Sequence, residues 1–187
     1  MALRDAVERL AWEVLARSDV TRPPVDIDAI AAREGLRFVP ATFDSILGVY
    51  CGDPPSHVKL PFAMIASHQH PLRQRFTKAH ELGHHLMDEP RGWVARMRLP
   101  SGLEHRSRDY HEWHECFAAS LLMPRRWVDQ FDGGSWRRDD IARLARRFAV
   151  TKIAAATRLE ELYGRPRLDI VSAIVPAGEH TGLYAQA

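Results

Sequence analysis

Pro71-Leu-Arg-Gln-Arg-Phe-Thr-Lys-Ala-His-Glu-Leu-Gly-His-His-Leu-Met87 carries the decisive information about the architecture. Proline suits the first turn of a helix, where a backbone N–H is not needed. The stretch that follows has no further proline and a single glycine. Residues four apart on a helix share a face, so His80 and His84 present two imidazoles to one ion. Glu81, one position on, reaches a metal-bound water without ligating the metal. Zinc suits neutral imidazole, and a catalytic site keeps its fourth position open for water. The ion draws the pKa of that water towards neutrality, and a neighbouring carboxylate takes the proton and passes it to a leaving amine. Phe76, Ala79 and Leu82 give the helix an apolar side, and Gly83 permits close backbone approach.

Two histidines do not hold a catalytic zinc, so a third ligand comes from elsewhere. A strong helix over about Tyr110 to Met123, halted by Pro124, offers His111, Glu112, His114 and Glu115. The economical arrangement makes His111 the ligand, with Glu115, one turn on, accepting the free N–H of His80 or His111. Glu115 as the ligand itself is the alternative. The bland reading of this helix is a solvated polar face behind a core side of Ala118, Leu121 and Leu122. A Cys51 thiolate in the open position would hold the site latent, although a lone cysteine is more often a small buried apolar residue. Cys116, about 100° around the helix from Glu115, reads as packing. His68, His70, Tyr50 and Tyr110 are equal candidates for stabilising the oxyanion, and His85, on a different face from His84, is not expected to ligate.

Upstream, Leu3, Val7, Leu10, Ala11, Val14 and Leu15 fall at helical spacing until Thr21-Arg-Pro-Pro24 stops them. Asp26 reads as the N-cap of a second helix that closes at Gly35. Leu36 to Val39, Leu47 to Tyr50 and Phe62 to Ala66 read as strands of a small sheet. Downstream, Arg91 to Arg108 reads as a mobile connection, and Leu168 to Val175 as a last strand or extended tail. Between them, Asp139 to Phe148 and Thr151 to Tyr163 form a helix pair around Ala149-Val150-Thr151, ended by Gly164 and Pro166. This C-terminal subregion, about 125–164, looks like a helix-turn-helix. Its basic run, Arg137 to Arg147, makes nucleic-acid contact one reading. Asp139, Asp140, Glu160 and Glu161 offset that charge, and structural support of the domain is the other reading.

The chain of 187 residues suits a single domain over 1–187, and its net charge of +2 neither demands nor excludes nucleic acid. Two cysteines exclude a disulfide framework. No apolar run is long enough to span a membrane. Arg4, Asp5, Glu8, Arg9 and Glu13 interrupt the N-terminal segment, unlike a secretory signal. These features predict a cytoplasmic, reduced protein with no membrane partner.

Arg75-Phe-Thr-Lys-Ala-His-Glu-Leu-Gly-His84 closely resembles the signature of the ImmA/IrrE family of metallopeptidases, and Phe117-Ala-Ala-Ser-Leu-Leu-Met-Pro124 resembles that family's FAAxLLMP helix end. The resemblance covers about Val25 to Tyr163. It implies an α+β, zincin-like fold in which a small, mostly antiparallel sheet packs on the HExxH helix. The implied cofactor is Zn2+, and the implied activity is cleavage of a helix-turn-helix repressor in a stress, DNA-damage, prophage or defence response. Family members normally place a glutamate ligand six residues before the Phe of the second motif, and Asn or Asp two residues before it. Here those positions hold His111 and Glu115. The departure keeps a zinc ligand but removes a negative charge from it. The leading expectation is therefore a zinc endopeptidase with His80, His84 and His111 as ligands and Glu81 as general base. A DNA-binding regulator, or a sensor whose latched zinc site is released by nucleic acid, is the alternative.

Overall fold

The computed structural model describes residues 2–54, 56–58, 60–88, 108–131 and 138–164. The expected connection from Arg91 lies outside these residues except at its last position, and the expected tail over Leu168 to Val175 lies wholly outside them. Helix α1 (Ala2–Arg17) is followed by α2 (Ile27–Arg33), β1 (Arg37–Ala41), β2 (Gly48–Cys51), β3 (Phe62–Ala66) and α3 (Pro71–Asp88). Then come α4 (Arg108–Leu122), α5 (Arg125–Val128), a 3-10 turn (Asp129–Phe131), α6 (Arg138–Phe148) and α7 (Lys152–Tyr163). The class is α+β, as the sequence leads one to expect.

Local chemistry accounts for the boundaries. Asp26 caps α2 by accepting from the Ala29 N–H at 3.0 Å, which satisfies one of the orphan donors of the first turn. Gly35 ends the helix with φ +80°, while the Leu36 N–H reaches back to the Ala31 carbonyl at 2.8 Å. Thr151 caps α7 through the Ala154 N–H at 3.0 Å. Pro124 breaks α4 and starts α5.

The strands lie in the order β1-β3-β2. The β2–β3 ladder is antiparallel, as expected, whereas β1–β3 is parallel. The last strand enters between the first two, so β1 and β2, although consecutive in the chain, are not neighbours. Pro40 is tolerated because β1 is an edge strand. Opposed residues share a face, so Phe38, Gly48, Tyr50, Ala63 and Ile65 point one way and Val49, Cys51, Phe62 and Met64 the other. The first set faces α3, and Ala63 and Ile65 are buried there.

Helix α3 packs on the sheet and on α4, and α4 also receives α1. The core runs through Val7, Leu10, Val14, Leu82, Met87, Phe117, Leu121 and Leu122. Gly83 sits at the α3–α4 crossing: a Cβ there would lie 3.1 Å from Phe117 Cδ1 and 3.5 Å from His114 Cα. Glycine thus sets the approach of the two helices.

Two arginines staple the shell. Arg75 donates from Nε to the Ala149 carbonyl at 3.0 Å and from its guanidinium to the Val25 carbonyl at 2.8 Å, tying α3 to the α6–α7 turn. Burial pushes its pKa down, opposed by Asp26 and Asp28. Arg158, fully buried on α7, donates to the Met123 carbonyl at the end of α4 and pairs with Glu8 and Glu161, each at 3.2 Å. Helix α7 also buries Ala154, Ala155, Ala156, Leu159 and Leu162. Its other face, with Lys152, Ile153, Thr157, Glu160, Glu161 and Tyr163, is exposed or half-buried. On α6, Arg143, Arg146 and Arg147 are exposed, with Arg143 held by Asp140 at 2.6 Å; Arg137 lies outside the described residues. Among the described residues no helix is long and apolar enough to cross a membrane.

Candidate metal centre

His80 and His84 occupy successive turns of α3, and His111 reaches them from α4. One ring nitrogen from each lies within 4.8 Å of the others. The two Nε2 atoms on α3 are 3.2 Å apart. Two imidazoles bound to one tetrahedral zinc at the usual Zn–N length stand about 3.3 Å apart, so this pair is already spaced for the ion. Three neutral nitrogen donors converging from two packed helices suit zinc and leave a fourth position open. The donor set fits the metal.

Glu81 is 5% exposed and lies under β2. A Cβ at Gly48 would fall 2.6 Å from Glu81 Oε1 and 2.6 Å from Thr77 Cγ2. Glycine is therefore what lets the strand pass over the carboxylate. The residue drew no notice in the sequence, although a glycine inside a strand often marks a close approach.

His114, also unassigned from sequence, is fully buried and stacks on His84 with centroids 3.7 Å apart and planes 16° from parallel. On the sheet side the ring of Tyr50 runs parallel to His84, within 10°, at 6.4 Å. Nothing in the helical spacing announces either stack, because both depend on interhelical and strand–helix distances.

Of the four oxyanion candidates, Tyr50 comes to the histidines, but its hydroxyl is engaged. It lies 3.0 Å from His85 Nδ1, while His85 Nε2 lies 2.8 Å from the Glu34 carbonyl. A carbonyl only accepts, so Nε2 carries the hydrogen, Nδ1 accepts, and Tyr50 donates to it. That directs the tyrosine proton at His85 on α3. His70 instead caps α3, its Nδ1 accepting from the Leu72 N–H at 3.2 Å. Ten residues before His80, it is about 15 Å away along the helix. His68 is exposed, and the side chain of Tyr110 is outside the described set. His85 does not join the converging group, as expected.

The structure does not bring Glu115 or Cys51 into that group. Glu115 lies one turn beyond His111, about 6 Å further along α4, among other carboxylates. Burial first, then Glu112 and Glu161, push its pKa up to about 8. Cys51, half-buried, follows Tyr50 on β2, and strand alternation turns its side chain to the face away from α3. Cys116 is buried packing, as expected, with its pKa pushed up to about 11 chiefly by burial.

The Peptidase M78 family model, described as the IrrE N-terminal-like domain, matches residues 50–160 of the chain. Among solved structures, a Mycobacterium tuberculosis transcriptional regulator is similar at 25% identity with a TM-score of 0.57. The likeness covers 89% of this chain and 49% of that one, so the chain spans about half the length of the regulator. No curated protein matches.

Proposed function

The chain belongs to the ImmA/IrrE family, whose domain model matches more than half of it, and from that premise we propose that it is a zinc-dependent endopeptidase that cleaves a helix-turn-helix repressor. Family membership carries the general role, a metallopeptidase or a protein of regulatory circuits. The observation that supports catalysis in this chain is the convergence of His80, His84 and His111 within 4.8 Å beside a buried Glu81. In this reading the three histidines hold the ion. A zinc ion bound there supplies Lewis acidity, polarising a peptide carbonyl and acidifying water. Glu81 takes the proton from the attacking water and delivers it to the nitrogen of the leaving amine. Its burial beneath β2 limits the rotation of the carboxylate. Among the described residues β2 has no strand on its outer edge. An extended segment of substrate adding there by backbone hydrogen bonds would run past Glu81.

The regulator found among solved structures is consistent with a role in transcriptional control, by removal of a repressor in a stress, DNA-damage, prophage or defence response. We assign Glu115 and Cys51 no part in binding the metal. The test is Glu81→Gln. Loss of repressor cleavage by a factor of about 100 or more, with zinc retained at wild-type stoichiometry, is the expected result. Undiminished cleavage by that variant would remove the general base and with it the mechanism.

A further inference from the structure

A histidine that ligates a metal must hold its ring plane as well as its Cα, because the outer torsion of the imidazole is broad and roughly two-fold. The common solution is a hydrogen bond donated by the second ring N–H to a neighbouring acceptor. Ring stacking is a further device, and it is present beside His84. The fully buried His114 lies flat on the His84 ring, with centroids 3.7 Å apart and an interplanar angle of 16°. Tyr50 runs parallel to the same ring from the sheet side, and its hydroxyl is anchored by His85. Helix α3 packs on both the sheet and α4, so Tyr50 comes to His84 from the sheet and His114 from α4. Contact with His114 depends on the close crossing of α3 and α4, where a Cβ on Gly83 would meet His114 Cα and Cβ at 3.5 Å and Phe117 Cδ1 at 3.1 Å. His114 is not in the converging donor group.

We propose that His114 is a positioning residue of the metal site, fixing by stacking the plane in which His84 offers its Nε2. This rests on the reading of His80, His84 and His111 as ligands. Its consequence is a site held in shape before the ion arrives, so the cost of ordering that ligand is met in folding rather than in binding.

The experiment is zinc binding by the metal-free full chain in competition with a chromophoric chelator, alongside the visible spectrum of the Co2+-loaded protein. Two ring-less variants, His114→Leu and His114→Met, are compared with His114→Phe, which keeps a flat ring. Circular dichroism checks that each is folded. The proposal expects zinc affinity to fall about 10–100-fold in the ring-less variants, with their Co2+ bands shifted, and His114→Phe to stay near wild type. Ring-less variants that bind zinc as tightly as wild type overturn it. So does a His114→Phe variant as weak as the ring-less pair, since that assigns the role to a ring nitrogen. Should neither ring-less variant fold, His114→Phe decides the matter through its zinc affinity and Co2+ bands. Wild-type values there support a ring held by stacking, and weakened binding overturns it. Wild-type protein that takes up no zinc removes the metal reading itself, an outcome distinct from wild-type binding with indifferent His114 variants.

Discussion

Replacing Gly48 with alanine puts a methyl group into the space between β2 and α3. The new Cβ would lie 2.6 Å from Glu81 Oε1, where ordinary contact begins at about 3.4 Å, so roughly 0.8 Å must be yielded. Thr77 Cγ2 blocks a sideways escape at the same 2.6 Å. The carboxylate moves, or β2 does, since an edge strand is held on one side only. Either way the proposed base is displaced relative to the histidines. A misplacement of about 1 Å costs about a hundredfold in rate, so kcat/KM should fall some 30- to 100-fold, about 2–2.7 kcal/mol in the barrier. Stability should change less. Alanine in place of a strand glycine adds about 0.5–1 kcal/mol, which offsets part of a packing strain of about 1–3 kcal/mol. The assay is cleavage of a mixture of unstructured peptides read by mass spectrometry, with zinc content measured on the same samples. Near-wild-type cleavage by Gly48→Ala would refute the close apposition of strand and base. Lost cleavage together with lost zinc would show that the damage is general.

Two further outcomes follow from the shell around the site. Arg158→Ala leaves Glu8 and Glu161 without their buried partner and should cost about 3–5 kcal/mol, read by chemical denaturation; a loss under 1 kcal/mol would contradict the staple role. Glu115, with its folded pKa raised to about 8, binds its proton more tightly in the folded state than in the unfolded chain. Its contribution to stability is therefore present below the ordinary carboxylate range and is lost as pH rises through about 8. Glu115→Gln should flatten the fall in Tm between pH 5 and 9, and parallel Tm profiles for variant and wild type would contradict this.

The helices were readable because each carried its own punctuation, such as Asp26 and Gly35 around α2 or Pro124 after α4. The pairing of His80 with His84 follows from helical repeat alone, and the place of His111 follows once a third donor is required of the next strong helix. What escaped depends on distances between elements. The parallel β1–β3 ladder arises because β3 inserts between its predecessors, against the tendency of consecutive strands to pair. The His114–His84 stack exists only because Gly83 lets α4 come close. Glu115 shares a helical face with His111, yet a rise of one turn puts it beside Glu161 rather than beside His80. The orientation of Cys51 could have been deduced: a strand that turns Tyr50 towards α3 turns its neighbour away.

Zinc-edge X-ray absorption on protein loaded with one equivalent of the ion reports the ligand atoms themselves. Three imidazole nitrogens and one further light atom at about 2.0–2.1 Å, with no sulfur, is the predicted shell. A sulfur scatterer at about 2.3 Å, or a protein that releases the ion to a weak chelator, would contradict a site built from His80, His84 and His111.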